Sequence, residues 1–224
     1  MVAPKRNTLQ FLLSYLFDSQ VEHFSTKYNK VLDVKYYEGG YILDADTANF
    51  SFGALHRVFQ LAFDQLKISE RSIESALILG YGAGSVAQLL NERLNSPTII
   101  GVEIDPKVIG IAQDYFGLDE EEHVHIEEMD AQNYIEASYD YFDLIVIDIF
   151  DNDKVPEKFF KKIFLTLVGK RLNPGGLLVF NAAIIGSGQN IEDVGKVFRR
   201  LFPDTNLLTL EANKVLVWEN ITRQ

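Results

Sequence analysis

The sequence predicts an α/β protein with a doubly wound, mostly parallel sheet that ends in an antiparallel hairpin. From residue 75 onward, short apolar runs alternate with segments whose apolar residues recur at helical spacing. Four of these runs end in a glycine or an acidic residue, and the last two runs are separated only by the short turn 211–213. With 224 residues, 47% of them apolar, the chain can form one such domain with a small extension.

Residues 1–50 are predicted to form an N-terminal extension, and residues 51–224 the main nucleoside-binding domain. An amphipathic helix is predicted near the start, because five apolar residues follow helical spacing there. These residues are Leu9, Leu12, Leu13, Leu16 and Phe17. Two further apolar and aromatic runs, 31–37 and 41–44, flank the turn sequence Glu38-Gly39-Gly40, which predicts a β-hairpin.

The main domain begins with a helix over residues 55–66 and continues with alternating strands and helices. Strands are predicted at 76–80, 99–103, 123–130, 142–148, 177–180, 206–210 and 214–218. Three helices between them are predicted at 86–94, 108–116 and 160–168, and the second has Pro106 in its first turn. Residues 173–176, Asn-Pro-Gly-Gly, are predicted to be a loop.

A glycine-rich loop and an acidic residue together predict a nucleoside site. Gly80, Gly82 and Gly84 follow the first buried strand and precede a helix, where a backbone without Cβ atoms can approach a ligand. Glu103 ends the next strand, the position from which a carboxylate accepts hydrogen bonds from ribose hydroxyls. The loop also satisfies the dinucleotide pattern, so nicotinamide binding stays as an alternative, although few residues follow Asp148 for a second half-fold.

Composition restricts the partners. The formal net charge of −11 argues against nucleic acid, which requires basic surface, and fits a cationic small substrate. No apolar run approaches the ~18 residues that span a bilayer, so no membrane association is predicted. The chain has no cysteine, which suits a reducing cytoplasm, and we predict a cytoplasmic protein. His123 and His125 share a strand face but have no third ligand nearby in sequence, so no metal site is predicted.

The residues around the loop resemble the spermidine synthase-like branch of the class I S-adenosylmethionine-dependent methyltransferase superfamily, over roughly residues 30–182. The resemblance is carried by segments 77–84, 102–109, 129–131, 141–151, 156–160 and 174–178. It implies a class I methyltransferase-like, Rossmann-like three-layer sandwich with S-adenosylmethionine or its decarboxylated form as cofactor. The implied cofactor-binding residues are Gly80, Tyr81, Gly82, Ala83, Gly84, Glu103, Ile104, Asp130, Ala131 and Asp148.

The same resemblance implies individual roles. Glu103 would hold the ribose and Asp130 the adenine amino group, while Asp148 and Asp151 would be the catalytic residues beside the sulfonium and the incoming amine. The chemistry agrees, because an attacking amine must lose a proton and two carboxylates can gather its ammonium and accept that proton. Close like charges are expected to raise the pKa of one of the two. The hairpin is implied to form a homodimer contact, with a lid over the cleft as the alternative.

One departure from the family pattern decides the favoured reaction. Aminopropyltransferases, which this chain resembles, share an aspartate within the glycine loop, where this chain has Ala83. Loss of one partner of a desolvated ion pair costs about 3–5 kcal/mol, and Ala83 also removes a repulsion against the carboxylate of S-adenosylmethionine. Methyl transfer to a small cationic acceptor, an amine, is therefore the favoured hypothesis. Aminopropyl transfer and a non-catalytic nucleoside-binding protein are the alternatives.

Overall fold

Two β-sheets form the framework of the computed structural model, which describes residues 8–45, 49–117, 122–151 and 153–221. The first sheet follows a short helix. It is antiparallel, and each strand pairs with the next one along the chain. These elements are α1 (Thr8–Leu13), β1 (Ser19–Phe24), β2 (Leu32–Tyr37), β3 (Gly40–Ala45) and β4 (Asn49–Ser51). The predicted hairpin is confirmed: β2 and β3 pair, and Glu38 and Gly39 both take positive φ in the turn between them.

The second sheet has seven strands. They are β5 (Ser75–Leu79), β6 (Thr98–Glu103), β7 (Val124–Glu128), β8 (Phe142–Ile147), β9 (Leu172–Ile184), β10 (Asn206–Leu210) and β11 (Asn213–Glu219). Their order is β10-β11-β9-β8-β5-β6-β7, with parallel pairs from β9 to β7 and antiparallel pairs at β10 and β11. The predicted doubly wound sheet closed by a hairpin is therefore confirmed. The strand order reverses between β5 and β8, where such sheets bind ligands.

Helices cover both faces of this sheet. They are α2 (Gly53–Gln65), α3 (Ser85–Arg93), α4 (Pro106–Phe116), α5 (Ala131–Ala137), α6 (Lys162–Lys170) and α7 (Ile191–Leu201), with short 3-10 helices at Ile68–Glu70 and Glu157–Phe160. Pro106 is the first residue of α4, as predicted, and Asp105 caps that helix by accepting from Lys107 N. Sequence reasoning missed α5 and α7.

Two apolar clusters lie on opposite faces of the sheet. Along β5, Ala76 and Ile78 belong to the first cluster, whereas Leu77 and Leu79 belong to the second. This alternation follows from strand geometry, which turns successive side chains to opposite faces. Buried residues of α2, α3 and α4 join the first cluster, and those of α5, α6 and α7 join the second. The result is a three-layer sandwich.

Interior residues of the N-terminal sheet join the first cluster as well. Leu32, Val34 and Leu43 are fully buried there, together with Phe59 and Phe63 of α2. Helix α2 therefore packs between the small sheet and the main one. The division of the chain at residue 50 stays a prediction.

Two predicted elements differ from those in the structure, and one strand was not predicted. The N-terminal helix is shorter than its apolar pattern suggested, and its apolar residues are exposed, with Leu9 at 64% and Leu12 at 59%. Strand β1 was missed because its sequence, Ser-Gln-Val-Glu-His-Phe, has no apolar alternation. The predicted loop 173–176 lies inside β9, since Gly175 N donates to Asn220 O and Asn220 N donates to Gly176 O. No helix among the described residues is long and apolar enough to cross a bilayer.

The contact between the glycine loop and β6 requires a glycine at position 101. A Cβ atom there would overlap Cδ2 of Tyr81 and lie 2.7 Å from Cδ1 of Ile126. Tyr81 is itself 5% exposed, so its ring is closely surrounded by other residues. At Gly110 in α4, by contrast, an added Cβ would meet no atom within 4 Å.

We predict that Gly101→Ala lowers the free energy of unfolding by about 1–3 kcal/mol, through overpacking against Tyr81 and Ile126. Gly110→Ala is the matched control and is expected to raise it by about 0.5–1 kcal/mol, because alanine is the better helix former. Urea denaturation followed by circular dichroism measures both. Equal effects of the two substitutions would contradict the packing described for Tyr81.

Candidate active site

A cleft of about 550 Å³ opens at the carboxyl ends of the central strands. Its walls come from the loop after β5, the ends of β6 and β8, and the start of α5. Residues 27–29 of the N-terminal part and 211–213 of the last hairpin complete it. The structure thus brings together nine predicted residues in the lining: Gly80, Tyr81, Gly82, Glu103, Ile104, Asp130, Ala131, Asp148 and Asp151.

The glycine loop is fixed by backbone contacts to both neighbouring strands. Gly80 N and Tyr81 N each donate to Val102 O at 3.0 Å. On the other side, Gly80 has φ +87° and lies so close to Asp148 that an added Cβ would overlap the carbonyl oxygen of that residue. The loop therefore sits directly between the ends of β6 and β8.

Glu103 is buried and tied to the loop. Its Oε2 accepts from Gly82 N at 3.0 Å, and its Oε1 accepts from Ile104 N at 2.8 Å and Asp105 N at 2.9 Å. Burial raises the pKa of Glu103, although these backbone donors act in the opposite direction. Because Oε2 receives one bond, it has a lone pair left for a hydroxyl group in the cleft.

Asp130 lies at the N-terminus of α5 and binds a lysine. Its Oδ1 accepts from Gln132 N at 2.9 Å and Asn133 N at 3.3 Å, which caps the helix. Its Oδ2 accepts from Lys158 Nζ at 2.5 Å. Burial by itself raises the pKa of Asp130, but the lysine and the two N–H donors outweigh it, and the net pKa is lowered.

Asp148 follows β8, and among the described residues its one hydrogen-bond donor is Asn181 Nδ2, at 2.9 Å. Asn181 on β9 is fully buried, and its Oδ1 accepts from Asn213 Nδ2 on β11 at 2.9 Å. Burial raises the pKa of Asp148 to about 7, while Asn181 opposes the rise. Sequence reasoning predicted a raised pKa but assigned it to repulsion from Asp151, and the structure assigns it to burial.

Asp151 is more exposed than Asp148. Its backbone N donates to Lys154 O at 2.8 Å, and Lys154 N donates back to Asp151 O at 3.2 Å, which forms a small bridge at the cleft rim. Both aspartates line the same cavity. A catalytic role for Asp151 stays a prediction.

Two of the predicted cofactor-binding residues, Ala83 and Gly84, are not among the lining residues. Ala83 is 2% exposed and packs in the first apolar cluster. Gly84 faces the ring of Tyr81, whose hydroxyl would lie 2.8 Å from an added Cβ. Tyr81 therefore packs against the protein side of the loop, and only part of its surface lines the cleft.

Sequence reasoning missed the contribution of residues 27–29, Lys-Tyr-Asn. They reach the cleft because Thr26 Oγ1 donates to Asp105 Oδ2 at 2.5 Å and Asn29 Nδ2 donates to the same oxygen at 2.8 Å. Asp105 is 1% exposed and also caps α4. The two residues in each contact are 79 and 76 positions apart in the chain, so no local sequence pattern predicts these contacts.

The cleft is strongly acidic. Within the described parts of the chain, its lining has two ammonium groups, those of Lys27 and Lys158, against six carboxylates. The carboxylates belong to Glu103, Asp130, Asp148, Asp151, Asp153 and Glu211. Glu211 pairs with Arg57 at 2.8 Å on the exposed rim. Such a lining favours a cationic ligand. No group of three or more potential metal-ligating side chains occurs in the described ranges.

Relatives with similar sequences are named as transferases. The chain is 34% identical over 140 residues to a probable polyamine aminopropyl transferase of Bifidobacterium longum, and 33% identical over 111 residues to a polyamine aminopropyltransferase of Vibrio vulnificus. These matches cover 62% and 48% of this chain, but only 31% and 37% of the relatives. An eEF1A lysine and N-terminal methyltransferase homolog of Drosophila melanogaster is 26% identical, over 75% of this chain and 27% of the relative.

Solved structures share the fold. A spermidine synthase in complex with the transition-state analogue AdoDATO superposes with a TM-score of 0.71 at 16% identity, covering 90% of this chain and 73% of the other. Human methyltransferase-like protein 13 in complex with SAH gives 0.61 at 22% identity, covering 74% and 82%. The class I methyltransferase-like fold is therefore confirmed. Since the family model of the spermine/spermidine synthase domain matches residues 65–211, more than half of the sequence, the chain belongs to that family.

Proposed function

We propose that this chain transfers the aminopropyl group of decarboxylated S-adenosylmethionine to a small amine. The observation that carries the proposal is Asp148, a carboxyl group with a pKa of about 7 at the bottom of an acidic cleft, beside the glycine loop. Relatives at 33–34% identity carry the aminopropyltransferase name, whereas the methyltransferase relative above is 26% identical. This reverses the ranking that Ala83 suggested from the sequence.

The donor is proposed to lie along the carboxyl edge of the sheet. Glu103 accepts a hydrogen bond from one ribose hydroxyl through the free lone pair of Oε2, and Asp130 accepts from the adenine amino group. The positive φ of Gly80 brings the loop backbone into contact with Asp148, so we place the sulfonium in the cleft next to both. The acidic lining stabilises the sulfonium and the acceptor ammonium together.

The reaction needs a base, because an alkylamine is mostly protonated at neutral pH. Asp148 accepts the proton that the attacking nitrogen must lose. The nitrogen then forms a bond to the carbon next to sulfur, the carbon–sulfur bond breaks, and its electron pair stays on sulfur as a neutral thioether. A base with a pKa near the working pH is suited to this step, since it is partly deprotonated at rest and still takes up a proton readily.

Methyl transfer is the second candidate, and the glycine loop favours it. An aspartate that would pair with the amine of the decarboxylated donor is absent, and Ala83 occupies its place. However, Ala83 is 2% exposed and does not line the cleft, so its methyl group does not define the space for a donor carboxylate. The side-chain position therefore weakens the sequence argument for S-adenosylmethionine.

The two candidates are separated by offering both donors to the purified protein with a panel of diamines, putrescine among them. Aminopropyl transfer releases 5′-methylthioadenosine from the decarboxylated donor, and methyl transfer releases S-adenosylhomocysteine from the other; mass spectrometry distinguishes the two thioethers. We expect the first product. Formation of the second product alone would reverse the ranking, and tight donor binding without any turnover would support the non-catalytic alternative.

We predict that Asp148→Asn lowers kcat/KM by about 10²–10⁴, because the amide cannot accept the proton. In the unsubstituted protein, kcat/KM should rise with pH through about 7 and level off above it, since only the carboxylate is active. Asp140→Asn, at an exposed position outside the cleft, is the matched control and should keep the wild-type profile. A flat profile between pH 5.5 and 8.5 would rule out Asp148 as the base.

Asn181 is a positioning residue for that base. Within the described parts of the chain, its amide is the one donor that opposes the effect of burial on Asp148, so we predict that Asn181→Leu moves the midpoint of the kcat/KM profile to higher pH. Activity should then recover in part at alkaline pH, which a merely damaged fold would not do. Asn213→Leu removes only the outer contact and should give a smaller displacement in the same direction. An unchanged midpoint in both variants would exclude this role.

A further inference from the structure

We propose that Lys158 is a specificity-determining residue that recognises the purine base of the aminopropyl donor. In this proposal it stays paired with Asp130 and donates a hydrogen bond to a ring nitrogen of a 6-aminopurine. This inference rests on the proposed function, in which Asp130 accepts from the exocyclic amine of the same base. Lys158 and Asp130 would then contact neighbouring atoms on one edge of the ring.

The hydrogen bonds of Asp130 leave one acceptor position for the base. Both capping bonds, from Gln132 N and Asn133 N, go to Oδ1, so the helix fixes the orientation of the carboxylate. Oδ2 accepts from Lys158 Nζ and has one lone pair left. The side chain of Asp130 is 19% exposed and lines the cleft, which makes this lone pair accessible to a ligand there.

The ammonium group of Lys158 has more hydrogen-bond donors than its described contacts use. An ammonium group has three N–H bonds, and one of them is used on Asp130. Its side chain is 40% exposed, and it also lines the cleft. The ring of Phe159 lies 4.8 Å from Nζ, which gives the ammonium a second favourable contact on its protein side. No second acceptor for this ammonium is seen among the described residues, so its remaining N–H bonds are available to a bound molecule.

The backbone that carries Lys158 is firmly held. Val155 N donates to Gln189 Oε1 at 3.1 Å, and Gln189 Nε2 donates to Val155 O at 2.8 Å. Phe159 is 2% exposed and packs edge-on against Phe164 with ring centroids 5.0 Å apart. The 3-10 helix therefore holds the backbone of Lys158 at the edge of the cleft.

An acceptor and a donor placed side by side complement one type of ring edge. In adenine, the exocyclic amine is a donor and the adjacent ring nitrogen is an acceptor. Asp130 Oδ2 and Lys158 Nζ, 2.5 Å apart, offer the matching acceptor and donor. The competing interpretation is that Lys158 occupies the position of the base and must leave when the ligand binds. The two interpretations predict effects of opposite sign when the lysine is removed.

The test measures dissociation constants by calorimetry for 5′-methylthioadenosine and for its 1-deaza and 7-deaza analogues. With the unsubstituted protein, the analogue that lacks the contacted nitrogen should bind about ten- to hundredfold more weakly, the range expected for a hydrogen bond to a charged group. Lys158→Met should bind 5′-methylthioadenosine more weakly by the same factor. It should bind that analogue and 5′-methylthioadenosine equally well. Lys158→Arg, which keeps donors, should restore part of the discrimination.

Lys162→Met is the matched control, an exposed lysine outside the cleft, and should bind all three compounds like the unsubstituted protein. Equal or tighter binding of 5′-methylthioadenosine by Lys158→Met would overturn the inference and identify the lysine as a competitor. If the unsubstituted protein bound both deaza analogues as tightly as 5′-methylthioadenosine, the inference would be overturned without any variant. If the unsubstituted protein bound none of the three compounds, the proposed function would fail and the inference with it.

Discussion

The close backbone contact between Gly80 and Asp148 is the constraint on which the site depends. Asp148 N donates to Leu79 O at 2.8 Å, which continues the pairing of β5 and β8 past the last strand residues. Gly80 then turns with φ +87° against the carbonyl group of Asp148, a conformation and a distance that only glycine permits. Loop and acid are thus neighbours because their strands are neighbours, and no side-chain contact is needed to align them.

Three acids of the cleft are stabilised in three different ways. Glu103 receives three backbone N–H groups, and Asp130 receives two backbone N–H groups and a lysine. Asp148 receives one neutral amide. Burial disfavours the charged form of all three, and of the three Asp148 has the fewest hydrogen-bond donors among the described residues. The pKa of Asp148 is raised to about 7 and that of Asp130 is lowered, which suits a proposed base and a proposed binding group.

The N-terminal part contributes to the cleft through a buried anion. Asp105 caps α4 with Oδ1 and holds Thr26 and Asn29 with Oδ2. A buried carboxylate that lost these donors would be costly, so the segment and the main sheet stabilise each other. Lys27 and Tyr28 therefore form a wall of the cleft, although they precede the first strand of the main sheet by more than 40 residues.

The sequence by itself determined the alternation of strands and helices, the hairpin at Glu38-Gly39, and the placement of Glu103, Asp130 and Asp148 at or just after strand ends. Periodicity and turn chemistry are local, and acids at strand ends of a parallel sheet share one edge whatever the details of packing. Only the tertiary structure decided that Lys158 pairs with Asp130, that Asn181 supports Asp148 and that Ala83 turns into the apolar core. Those contacts join residues some 30 positions apart across the cleft, and their geometry follows from packing rather than from any pattern within one segment.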